Sequence, residues 1–196
     1  LCLLSGSAAM AWFYFHELNC RFPLLELKLF HNRPFMLSSM ANTAAFMFLS
    51  GNSFLLPFYL ISCRGVTPAK AGGILMIYSL FYLLLVPFAG KAADKVRPPV
   101  LCTWGMISAA AATFAFVFLL KFNPLWITVA WLAWLAASYA FFLAPNNSFA
   151  MKIPAASESG AAAGIYNTMG SLGMILGVVL MENTFSGSLP SGISPK

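Results

Sequence analysis

A chain of 196 residues that is 60% hydrophobic and only 8% charged lies far from the composition of a soluble domain, where about a quarter of the residues carry charge. A mean hydropathy of +0.82 means more apolar surface than a water-soluble protein of this size needs, so the excess faces lipid. The net charge of +6 does not indicate a nucleic-acid binder, because the basic residues sit between apolar runs and make no stripe.

The chain opens in an apolar run, LCLLSGSAAMAWFYF. No basic segment precedes it, which argues against a secretory leader. Residues 1–15 are therefore expected to be a truncated transmembrane helix, followed by a cytoplasmic link over 16–34. Five further apolar runs follow, at about 35–61, 71–89, 100–120, 125–144 and 160–181. Each has roughly the 20 residues a helix needs to cross the hydrocarbon core. They are continuous and do not alternate as barrel strands do. Backbone groups in lipid must be paired internally, which leaves helices. The expected fold is an all-α integral membrane protein of about five full transmembrane helices plus one partial N-terminal helix. Its bundle should occupy residues 35–184. The polar, Pro/Gly/Ser-rich residues 185–196 are expected to be an outer loop or disordered tail.

Short connections such as CRGVTPAK, KFNP and KIPAASESG make neighbouring helices antiparallel. Alternate connections then fall on opposite sides of the membrane. One side holds Arg21, Lys28, Arg33, Lys91, Lys95, Arg97 and Lys152; the other holds Arg64, Lys70, Lys121 and Lys196. The richer side is assigned to the cytoplasm. Cys2, Cys20, Cys63 and Cys102 form no C-x-x-C pair and have no histidine at metal spacing, so they read as small hydrophobes. No metal, cofactor or catalytic constellation is expected: His16 and His31 lie in the link, and no G-x-S-x-G, H-E-x-x-H or P-loop pattern occurs.

Several residues stand out against this apolar background. GKAADKVRPP (90–99) concentrates charge in what should be a cytoplasmic turn, where Asp94 could cap the following helix and meet its positive end. Ser38, Asn42 and Asn52 share a stripe with Ala45 and Leu49. Polar groups at bilayer depth face other helices or water, so this stripe either cross-links helices or lines a cavity. Pro57 should bend the first long helix. Gly164, Gly170, Gly173 and Gly177 lie on the last helix as packing residues; Gly173 and Gly177, in G-x-x-x-G spacing, make with Ala163 and Gly170 a small face suited to close helix contact. Glu182 falls at the outer boundary, and Asn146 and Asn147 follow Pro145, where they could satisfy freed backbone groups. Trp104 and Trp126 fall where interface anchors do. Tyr59, Tyr78, Tyr82, Tyr139 and Tyr166 either pack or stack on a planar organic substrate.

Gly90, Asp94 and Lys95 resemble the G-x-L-a-D-[RK]-x-G-[RK] signature of the major facilitator superfamily, with Ala92, Arg97 and Pro98 departing from it. FPLLELKLFHNRPF, NSFLLPFYLISCRGVTPAKAGGILMI and ESGAAAGIYNTMGSLGMILGVVL resemble the link before helix 9, helices 9–10 and helix 13 of its fourteen-helix drug:proton antiporter branch. In that branch Gly170 stands where an Arg is often found. The resemblance implies a fragment running from part of family helix 8 through helix 13, with the N-terminal half and the last helix outside it. It further implies alternating access, a lipid bilayer as environment, and a small organic substrate and a proton as partners of the full-length protein, in a plasma (inner) membrane. Gating would involve Gly90, Asp94, Lys95 and Arg97. Cavity lining would involve Ser38, Asn42, Asn52, Tyr166 and Asn167. The coupling carboxylate would belong to the missing half. Nutrient, sugar or siderophore uptake is the alternative; a membrane-embedded enzyme would need clustered His, Asp or Glu at one membrane face, and none is found.

Overall fold

The structure, a computed structural model, describes residues 28–119, 125–155 and 158–188. The truncated helix expected over 1–15, most of the link over 16–34, Lys121 and Lys196 lie outside the described residues. A single helical turn, Lys28–His31, precedes five long helices: α1 (Arg33–Phe58), α2 (Pro68–Lys95), α3 (Pro98–Leu119), α4 (Leu125–Lys152) and α5 (Ser159–Ser188). All five are long and apolar enough to cross a membrane. At 1.5 Å per residue the shortest, α3, still exceeds the ~30 Å hydrocarbon core.

The helices begin where the sequence supplies start signals. The Asn32 side chain accepts from the Phe35 amide at 3.5 Å, and Pro34 sits in the first turn of α1. Thr67 precedes Pro68 at the start of α2. Proline fits these positions because the first amides of a helix have no intrahelical partner anyway. α1 ends less simply. After Pro57 the chain continues as a π-helical turn, Tyr59–Cys63. Gly65 then takes φ +63°, and the Val66 amide reaches back to the Leu60 carbonyl at 3.0 Å. That seven-to-one bond around a left-handed glycine is a Schellman stop widened by one residue to fit the π-turn before it.

The charged segment 90–99 is not a ten-residue turn. Residues 90–95 continue α2, and only Val96 and Arg97 separate it from α3. Lys91, Ala92, Ala93 and Lys95 are good helix formers, so the helix runs on into water. It stops because Pro98 and Pro99 cannot continue it and disfavour helical geometry just before them; Val96 is extended, at φ −118° and ψ 145°. For the same reason Asp94 does not cap α3: it lies in the last turn of α2. At the other end, α5 extends to Ser188, four residues past the boundary expected at 184.

Packing is uneven. α4 touches each of the other four helices, and 56% of its apolar span is buried against 11–28% for the rest. It packs most closely on α2 and α3, while α1 packs most closely on α5. Gly105 makes the α3–α4 approach possible: a Cβ there would stand 2.9 Å from the Ser138 carbonyl oxygen. Beside it Trp134 Nε1 donates to Ser108 Oγ at 2.9 Å, and the Ser138 and Ser108 hydroxyls lie 3.0 Å apart. A larger core joins α1 to α4, from Ala45 and Leu56 to Ile74, Ala112, Trp131 and Tyr139. A smaller one closes the end where α1 starts and α4 stops, gathering Leu29, Phe35, Ala150, Ala162, Ile165 and Tyr166. Large apolar side chains such as Met76, Leu83 and Phe114 point outward. In a soluble protein so many would be a liability; here they are the lipid-facing surface of a multi-pass membrane protein.

Candidate functional site

Two polar features interrupt this apolar bundle. The first is a knot toward the end of the bundle where α1 starts and α4 stops. Ser38 Oγ donates to Asn146 Oδ1 at 2.8 Å. Asn146 Nδ2 donates to the Ser38 carbonyl at 3.1 Å and to the Tyr166 hydroxyl at 2.9 Å. Asn42 Nδ2 reaches the Tyr166 carbonyl at 3.5 Å. All four residues are buried, and they tie α1, α4 and α5 together. Ser38, Asn42 and Tyr166, expected as possible cavity lining, therefore cross-link helices. Two acceptors in this region, Ser39 Oγ and Asn42 Oδ1, are buried without a hydrogen-bond partner among the described residues.

The second feature is a cavity of about 210 Å³ between α1, α2 and α4, toward the end of the bundle where α1 stops and α2 and α4 start. Its walls are Leu49, Leu56, Leu75, Leu132 and Leu135, with Asn52, Ser53, Tyr78, Ser79 and Trp131 as the polar or aromatic members. No lining residue is charged. Asn52 Nδ2 is held by the Phe48 carbonyl at 2.9 Å, which leaves its amide oxygen available. Trp131 stacks on Phe116 of α3, centroids 4.3 Å apart. It is 5% exposed, and its Nε1 is buried without a partner. Nearby, Tyr139 donates to the Ala45 carbonyl at 3.2 Å and stacks on Phe48. Of the polar stripe read from the sequence, only Asn52 reaches this cavity. Asn167 is exposed on another face of α5.

The glycine face divides. A Cβ at Gly173 would meet the Thr43 carbonyl oxygen, and one at Gly177 would meet the Met47 carbonyl oxygen and Ser50 Oγ. Gly170 faces Asn42 Nδ2 at 2.9 Å on the same count. These glycines let α5 lie directly on the backbone of α1. The contact is closed by Thr43 Oγ1 donating to the Met169 carbonyl at 3.0 Å and Ser50 Oγ to the Met174 carbonyl at 2.9 Å. Gly164 is different: it is exposed, with nothing within 4 Å of an added Cβ. From Gly164 to Gly173 the helix makes about two and a half turns, so the two glycines lie on opposite faces.

Gly90, Asp94, Lys95 and Arg97 are all exposed where α2 ends and α3 begins. Asp94 makes no hydrogen bond or ion pair with another described residue. The described acids, Asp94, Glu158 and Glu182, all lie at helix ends. Among the described residues no cluster of three or more His, Cys, Asp or Glu is gathered as a metal ion would require.

Reading the sequence missed two functional candidates. Asn146 was read as a local backbone partner after Pro145 and proves to be the hub of the knot. Trp131 was one aromatic among many. The available signal was a polar or indole group inside an otherwise apolar run, but one helix does not reveal what the neighbouring helix offers.

A bundle of five membrane helices, cross-linked by buried amides and hydroxyls around an uncharged cavity, is of the class that carries solutes across membranes rather than reacting them. The model of the Major Facilitator Superfamily matches residues 16–178, and the chain belongs to that superfamily of transporters. It is similar to the riboflavin transporter RibZ of Clostridioides difficile, with 26% identity over 84% of this chain and 36% of RibZ. It is also similar to the MFS-type transporter Rv1250 of Mycobacterium tuberculosis, at 26% identity over 97% of this chain and 34% of the relative. The lincomycin resistance protein LmrB of Listeria monocytogenes is 30% identical over 57% of this chain and 24% of LmrB. The chain thus spans about a third or less of the length of these relatives. No solved structure matches it.

Proposed function

We propose that these helices form the C-terminal part of a proton-coupled exporter of small amphipathic organic compounds, working by alternating access in the plasma (inner) membrane. The observation that carries this reading is the uncharged cavity between α1, α2 and α4, with free polar groups on an apolar wall, as ligand sites generally have. A relative named for lincomycin resistance supports export. On this reading the coupling carboxylate belongs to the N-terminal half, since the acids described here sit at helix ends. Asp94 would serve as a gating latch. An anion in the last turn of a helix opposes the helix dipole, so its natural partner is a cation outside this bundle, met in one conformational state.

The test is transport by everted vesicles containing the full-length protein. Vesicles acidified inside should accumulate an amphipathic drug such as lincomycin, and a protonophore should abolish the accumulation. Accumulation indifferent to the pH gradient would overturn the proton-coupled reading. A relative named as a riboflavin transporter favours a second reading, nutrient uptake. Gain of solute by intact cells, with none by everted vesicles, would establish that instead.

A further inference from the structure

We propose that the end of the α2–α3 pair binds an anionic glycerophospholipid, its phosphate held by Lys91, Lys95 and Arg97 and its two acyl chains laid along the exposed apolar surfaces of the two helices. Such a site lies on the outside of the bundle and is independent of the solute transported.

Helix length puts these cations at headgroup height. α2 has 28 residues, about 42 Å of helix, against a hydrocarbon core of ~30 Å, so its last turns stand among the headgroups. There Lys91 and Lys95 are one turn apart, on the same stripe as Leu84 and Phe88. All four are exposed, and this face of α2 passes from apolar to cationic as it leaves the core. α3 repeats the arrangement in reverse. Arg97 stands in the two-residue connection, and Val100, Trp104 and Ile107 follow it on an exposed stripe. Phe88 precedes Lys95 by seven residues and Trp104 follows Arg97 by seven, so both rings sit about 10 Å below the charges. Phe88 is 62% exposed and Trp104 67%, which leaves both free to meet acyl chains; an indole favours this depth.

The charges are uncompensated. The side chains of Lys91, Lys95 and Arg97 make no hydrogen bond or ion pair among the described residues. Asp94 is the sole acid in the segment 90–99, so three cations against one anion leave it at +2. Cations on long apolar stems at a bilayer surface draw anionic headgroups. A soluble anion would meet the same charges but gain nothing from Phe88 and Trp104.

The full-length protein in phosphatidylcholine vesicles provides the test. Trp104 reports through quenching by dibrominated lipid, its share being the quenching lost in Trp104→Phe. Half-maximal quenching is expected at an at least about 5-fold lower mole fraction of dibrominated phosphatidylglycerol than of dibrominated phosphatidylcholine, the preference that one basic residue near a membrane surface confers. Replacing Lys91, Lys95 and Arg97 together by Gln should abolish the preference, while Lys70→Gln at the other end of α2 should keep it. Sodium chloride at about 0.5 M should weaken it by screening. Melting temperatures check that each variant is folded. Inorganic phosphate, matched in ionic strength to chloride, should release no more lipid than chloride does; specific release by phosphate would make this a soluble-anion site and overturn the proposal. Equal half-points for the two lipids, the result if another part of the full-length protein covers the patch, would overturn it too, as would a preference that survives the triple variant in folded protein.

Discussion

Ser38 on α1 and Asn146 on α4, 108 positions apart, each donate a hydrogen bond to the other: the Ser38 hydroxyl to the Asn146 side-chain oxygen, and the Asn146 amide to the Ser38 carbonyl. The same amide also holds the Tyr166 hydroxyl, so one side chain fixes three helices. Truncating the hub should cost more than truncating a spoke. Asn146→Leu strands the Tyr166 hydroxyl in a buried site, leaves Ser38 Oγ only the long bond to the Asn146 main-chain carbonyl at 3.4 Å, and should destabilise the bundle by about 1–3 kcal/mol. Ser38→Ala leaves Asn146 bonded to the Ser38 carbonyl and to Tyr166 and should cost about 0.5–1 kcal/mol, in line with interhelical bonds in membranes. Thermal unfolding in detergent, followed by tryptophan fluorescence, would measure both. Equal losses would show that Asn146 is not the hub.

The α1–α5 contact depends on missing side chains. Gly173→Ala and Gly177→Ala each drive a methyl into an α1 carbonyl and should destabilise by about 1–3 kcal/mol through overpacking. Gly164→Ala meets open space and, in mid-helix, should gain about 0.5–1 kcal/mol. The opposite signs within one helix can be read from the same melting experiment. A loss at Gly164 comparable to that at Gly173 would place α5 in a different rotation about its axis.

Gly65 holds the Schellman stop after the π-helical turn at φ +63°. Space is not limiting there, since nothing lies within 4 Å of an added Cβ. Gly65→Ala should therefore cost about 1–2 kcal/mol through backbone strain alone, whereas Gly65→Asn, better tolerated in that region, should cost less. Hydrogen exchange at Val66, whose amide bonds to Leu60, would localise the effect.

Asp94 gives the sharpest separation of stability from function. The carboxylate is exposed and makes no contact within the bundle, and it sits at the negative end of α2. Asp94→Asn should leave the melting temperature unchanged or slightly raised. If the residue latches a partner outside these helices, the same substitution should slow transport several-fold in the full-length protein. Transport at the wild-type rate would reduce Asp94 to a solvated loop charge.

The architecture was legible because lipid imposes simple rules. Apolar runs of membrane length and the breaker residues between them marked the five described helices and their order. Their ends were less legible. Periodicity marks where apolar surface stops, not where hydrogen bonding stops, so α2 continued through residues 90–95 until the proline pair. The site was least legible. Ser38, Asn42 and Asn52 lie on one stripe of α1, but the stripe passes two environments. Its N-terminal part meets Asn146 and Tyr166; its C-terminal part meets the cavity. That division is set by α4 and α5, more than 80 residues further along the chain, and no local pattern encodes it. Gly164 failed for a related reason: a small residue marks a helix as able to pack closely without stating on which side.

The pairing of α1 with α5 has a bearing on biogenesis. Helices enter the bilayer in order of synthesis, so α1 is inserted long before the surface it fits has been made. Until α5 arrives, Thr43 and Ser50 have no interhelical carbonyl to bond, and the trough that receives Gly173 and Gly177 stands open. These five helices can come together only late, after α5 leaves the ribosome. Until then the nascent chain must rely on the insertion machinery or on transient neighbours to shield that trough.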